Sequence, residues 1–144
     1  MLFRSWITAS EISGNEVSYS GGGIFNESGN LTLANVTIED NFAEYGDGGG
    51  LFNDSGEVTL TRSTISGNRA ITDGGGIATG AGRVDITDSL LAANQAAGDG
   101  GGLATTTGQI TLTNTTVSGN SADARGGGIQ SDGAAVRLVN ATVT

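Results

Sequence analysis

The chain has 144 residues, of which 26 are glycine and none is proline, cysteine or histidine. Its six basic residues are all arginine, fifteen residues are acidic, and the net charge is −9. These counts exclude collagen, which needs proline and a glycine at every third position. They also exclude Cys/His zinc sites, disulfide frameworks and histidine-dependent catalytic triads, and the lack of a basic cluster argues against nucleic-acid partners. No apolar run approaches the about 20 residues of a membrane span, so no membrane insertion by this segment is expected.

In chain order, residues 1–20 form a partial unit carrying Ile7, Ile12, Asn15 and Val17. Triple glycines then begin at Gly21, Gly48, Gly74, Gly100 and Gly126, spaced by 27, 26, 26 and 26 residues. They delimit repeats 21–47, 48–73, 74–99 and 100–125 and a partial repeat 126–144, all read as one domain. A fixed period of this length marks a solenoid, propeller or array. Each triple glycine is followed by Ile24, Leu51, Ile77, Leu103 or Ile129. Next comes an alternating pair, Leu31/Leu33, Val58/Leu60, Val84/Ile86, Ile110/Leu112 or Val136/Leu138, and then Ile38, Ile65, Leu91, Val117 or Val143. Three residues beyond that last column an asparagine recurs: Asn15, Asn41, Asn68, Asn94 and Asn120.

Period-two alternation rich in Thr, Val and Ile reads as strand. Three short strands per repeat, separated by Gly, Asn, Ser and Asp turns, predict an all-β parallel β-helix of about 26 residues per coil and about five coils. Propeller blades need about 40–50 residues, which the period does not supply. Stacked coils bring like residues about 4.8 Å apart. The asparagine column is therefore expected to form an internal hydrogen-bonded ladder, and the triple glycines to serve positive φ or close backbone approach. A proline in the stack would remove a ladder donor, which accounts for its absence. Both ends fall within a coil, so an excerpt of a longer solenoid, with further coils or domains in the same chain, is expected.

The pattern Gly-Gly-Gly-[Ile/Leu] with [Ile/Val/Leu]-x-x-Asn resembles the repeats of chlamydial polymorphic outer-membrane proteins. It is also similar to repeats of large secreted bacterial surface proteins. The matching residues run from Gly21–Ile24 to Gly126–Ile129, with Ile12/Asn15 through Val117/Asn120. The resemblance implies a right-handed coil, an extracellular or cell-surface setting in bacteria, and an adhesive or stalk role. Its implied partners are glycans or cell-surface proteins, and it implies no catalytic residue.

Candidate chemistry lies on the outside of the coils. Asp47, Asp73 and Asp99 precede successive triple glycines, and stacked carboxylates could be relieved by a bound calcium ion; Ser20 and Arg125 interrupt that column. Phe25 and Phe52 are expected to stack outward. With Asn26, Glu27, Asn53 and Asp54 beside them, they form a candidate glycan-binding patch. Partial columns such as Thr32, Thr59 and Thr111 reflect the strand preference of threonine. The expected function is a non-catalytic structural or binding segment. The alternative is part of a polysaccharide-active β-helix enzyme, whose chemistry needs carboxylates and a basic residue in one groove.

Overall fold

The structure, a computed structural model, describes residues 4–144. The first three residues of the partial unit 1–20 lie outside the described residues. Among the described residues, twenty-two strands stack into four sheets, and each strand pairs in parallel with its copy one coil away. Sheet A holds Arg4–Thr8, Asn30–Ala34, Glu57–Thr61, Arg83–Thr87, Gln109–Thr113 and Ala135–Val139. Sheet B follows in each coil with the three-residue strands typified by Thr64–Ser66. Sheet C holds two-residue strands such as Arg69–Ala70, and sheet D three-residue strands such as Ile77–Thr79. The result is a parallel β-solenoid of about five turns.

Four strands per coil replace the three expected. The extra one, in sheet C, is only two residues long. Two residues cannot show an alternation, so that strand exists through pairing with its neighbours rather than through its own pattern. The change in repeat spacing also has a location. Residues 44–47 form a turn where the next coil has only residues 71–73, so Ile24 pairs with Leu51 while every strand beyond keeps its register.

The core is a set of columns. Leu33, Leu60, Ile86 and Leu112 from sheet A meet Ile38, Ile65, Leu91 and Val117 from sheet B and Leu51, Ile77 and Leu103 from sheet D, all fully buried. Alternation holds in sheet A, where Val58 and Leu60 are buried and Thr59 is half-exposed between them. The outward threonine column there reads Thr32, Thr59, Asp85, Thr111, Arg137. Asp85 is held by Arg83 at 2.7 Å in an exposed ion pair. That pair keeps the Arg83 guanidinium above its ordinary pKa, by its hydrogen bond first and by charge attraction second.

The corners explain the glycines. The first glycine of each triplet, from Gly21 to Gly126, has positive φ between 63° and 76°. The second and third are required by proximity. A Cβ at Gly50 would lie 2.7 Å from the Gly76 carbonyl oxygen. The corner between sheets B and C also needs a left-handed residue, supplied by Gly14, Asp40, Gly67, Ala93 and Gly119. Ala93, at φ 55°, carries a Cβ there, which costs about 1–2 kcal/mol in that conformation. Ala93→Gly is therefore expected to stabilise the fold by about 0.5–1 kcal/mol after the loss of chain entropy. Urea unfolding that showed Ala93→Gly to be destabilised would contradict this account of the corner.

Candidate functional site

Three polar columns run inside the coil. In the first, each asparagine Nδ2 donates to the Oδ1 of the next: Asn15 to Asn41 at 2.9 Å, Asn41 to Asn68 at 2.9 Å, Asn68 to Asn94 at 3.0 Å and Asn94 to Asn120 at 2.9 Å. The same Oδ1 accepts the backbone N–H of the preceding asparagine. Nδ2 also donates back to the carbonyl of Ile12, Ile38, Ile65 or Leu91. One amide thus serves a corner, a strand end and the next coil.

The second internal column changes the predicted glycan patch. Asn53 is fully buried and Asn26 half-buried. Asn26 donates to the Asn53 Oδ1 at 2.8 Å, and Asn53 donates to the Gly56 carbonyl at 2.9 Å. Both amides are turned into the coil. The alternation that turns Phe25 outward, between inward Ile24 and residue 26, also turns Asn26 inward. The column continues as Thr79, Thr105 and Ser131. Ser63, Ser89 and Thr115 form a third column between sheets A and B, unnoticed in the sequence because serine and threonine suit turns anywhere. Ser63 Oγ accepts the Val36 N–H at 3.1 Å, and Ser89 Oγ accepts the Ser63 N–H at 3.0 Å.

On the outer surface, Phe25 and Phe52 do stack, with ring centroids 5.5 Å apart and planes tilted by 31°. Glu27 and Asp54 are exposed at the corner between sheets D and A. In the next two coils the phenylalanine column becomes Ala78 and Ala104. Small side chains there leave a groove of about 200 Å³. Its floor is Ala78 and Ala104, Phe52 lines it on the N-terminal side, and Asp47, Asp73 and Asp99 line one flank. Thr106, Gln130, Asp132 and Arg125 complete the lining.

The aspartates stack as a hydrogen-bonded ladder rather than as a metal cage. The carboxylate of Asp47 accepts the Asp73 N–H at 3.0 Å, Asp73 accepts the Asp99 N–H at 2.7 Å, and Asp99 accepts the Arg125 N–H at 2.9 Å. The Thr72 hydroxyl donates to the same Asp47 oxygen. Arg125 closes the column by an ion pair with Asp99 at 2.6 Å. Asp99 raises the Arg125 pKa above its usual value, chiefly through that hydrogen bond, with smaller contributions from Asp132 and Asp73. Among the described residues, no group of three or more acidic side chains is placed to hold a metal ion. Each of the three carboxylates proposed from the sequence as calcium ligands turns toward the next coil's backbone N–H instead of converging with its neighbours.

The continuous four-sheet stack and its laterally placed groove define a β-solenoid whose variable chemistry lies on outward columns. The chain belongs to the right-handed β-helix family, whose model, described as a right handed beta helix region, matches residues 5–143. No curated protein and no solved structure matches the chain.

Proposed function

We propose that the chain is a non-catalytic β-helix segment of an extracellular bacterial surface protein, presenting outward columns to glycans or cell-surface proteins. The observation that carries this reading is the surface running from the stacked Phe25 and Phe52 into the alanine-floored groove. There an aromatic face adjoins carboxylates that retain acceptor capacity. Ring faces pack against the C–H face of a sugar, and carboxylates accept its hydroxyl protons. The resemblance of the repeats to chlamydial polymorphic outer-membrane proteins supports the surface setting. The test is binding to a glycan array and to bacterial or host surface fractions. Phe25→Ala/Phe52→Ala is expected to weaken binding by at least about tenfold, with an unchanged melting curve as the folding control. Equal binding by the double variant would remove this surface as the site.

One observation favours a second reading, a glycan-active enzyme. The fold brings Arg125 into the same groove as Asp73, Asp99 and Asp132, a proximity the scattered arginines of the sequence do not suggest. A carboxylate pair with a cation beside it can serve glycoside cleavage. Release of reducing ends or unsaturated products from acidic polysaccharides, abolished by Asp99→Asn, would establish this reading over the first.

A further inference from the structure

The chain contains four Asp-Gly dipeptides: Asp47-Gly48, Asp73-Gly74, Asp99-Gly100 and Asp132-Gly133. In this dipeptide the glycine backbone nitrogen is unhindered by a Cβ and can attack the aspartyl Cγ. The N–Cγ bond forms as the nitrogen proton and the hydroxyl of the protonated carboxyl group leave together as water. Water then opens the resulting succinimide at either carbonyl, returning aspartate or giving isoaspartate, with the main chain rerouted through the side chain. The reaction needs no co-reactant beyond water. It does require a free glycine N–H and a carboxyl group able to turn toward it.

Three of the four dipeptides are held against it. The N–H of Gly48 donates to the Asp73 carbonyl at 2.9 Å, that of Gly74 to Asp99 at 2.9 Å, and that of Gly100 to Arg125 at 2.8 Å. Their aspartyl carboxylates accept the backbone N–H groups of the next coil. Nucleophile and electrophile are both occupied by the ladder.

Asp132-Gly133 differs in each respect. Both residues are exposed. At this corner the N–H groups of Ser55, Ala81 and Thr107 all donate to the preceding coil, at 3.0, 2.7 and 3.1 Å. Gly133 stands in the same place with φ 80°, and its N–H has no acceptor among the described residues. Donation at this corner runs backward along the stack, so the missing partner is not one that a following coil would supply. Among the described residues no hydrogen bond holds the Asp132 carboxylate either, and a Cβ built on Gly133 would meet nothing within 4 Å.

We propose that Asp132-Gly133 is a site of spontaneous succinimide formation and isoaspartate accumulation, and that the aspartate ladder protects the other three dipeptides. The site borders the candidate groove, so the modification displaces one of its carboxylates. The test is incubation of the folded chain at neutral pH, with a parallel sample in urea. Isoaspartate is read by isoaspartyl-specific methylation and by peptide mapping. In the folded chain, Asp132 is expected to isomerise at least about tenfold faster than Asp47, Asp73 or Asp99. In urea the four rates should converge, and Asp132→Glu should remove the dominant product. Equal rates at all four sites in the folded chain would overturn the proposal. So would a folded Asp132 that stays unmodified while the urea sample converts.

Discussion

Asn68→Ala is expected to lower the stability of the chain by about 3–5 kcal/mol, and its melting temperature by about 10 °C or more. The side chain is fully buried. Its Oδ1 accepts both the backbone N–H of Asn41 at 3.1 Å and the Asn41 Nδ2 at 2.9 Å. Its Nδ2 reaches the carbonyls of Ile38 at 2.9 Å and Ser66 at 3.0 Å, and the Asn94 Oδ1 at 3.0 Å. Truncation leaves buried donors and acceptors on three coils without partners and out of reach of water, the costly way to lose a hydrogen bond. Asn120→Ala, half-exposed in a later coil, should cost about 1–2 kcal/mol, because water can satisfy part of what is lost. Urea unfolding of both variants tests this contrast. A loss below about 1 kcal/mol for Asn68→Ala would mean that the ladder is incidental to stability.

Gly75→Ala is the second large effect, and it separates two uses of glycine. Gly75 does not have positive φ, so the backbone conformation itself tolerates a side chain. Its Cβ, however, would overlap the backbone of Gln95, 2.6 Å from that residue's nitrogen. That obstacle is the backbone of a sheet C strand at the end of the same repeat, not a movable side chain. The stack would have to open locally, at an expected cost of about 3 kcal/mol or more. Gly119→Ala is the comparison. Gly119 has φ 60° and open space where the Cβ would go, so it should lose only about 1–2 kcal/mol of conformational energy. Melting curves that ranked Gly119→Ala as the worse variant would show that positive φ outweighs close backbone approach in fixing these glycines.

Much of the fold was legible because the repeat writes it several times. Leu51, Ile77 and Leu103 identify an inward column without knowledge of any contact, and Asn41, Asn68 and Asn94 identify a ladder. In a stack of like coils, identity along a column implies adjacency in space. The candidate site was less legible. Adjacency in sequence groups Asn26 and Asn53 with Phe25 and Phe52, although strict alternation assigns them to opposite faces. The repeat places Asp47, Asp73 and Asp99 in one column, but stacking alone does not say whether the carboxylates meet one another or the backbone above. Arg125 looked like a break in that column; its place at the end of the ladder, paired with Asp99, shows that it completes it.

By itself, the sequence determined the parallel stack, its period and its inward apolar columns. A repeat of 26 residues that buries the same positions each time has few other ways to satisfy its backbone. Tertiary structure alone decided the fourth strand of each coil, the direction each aspartate turns, and the groove over Ala78 and Ala104. Those depend on where corner backbone lies against the neighbouring coil, over distances of a few ångströms that column identity does not encode. Corner geometry likewise leaves the Gly133 N–H, between sheets D and A, without an acceptor among the described residues, while the three Asp-Gly dipeptides between sheets C and D are held in the ladder.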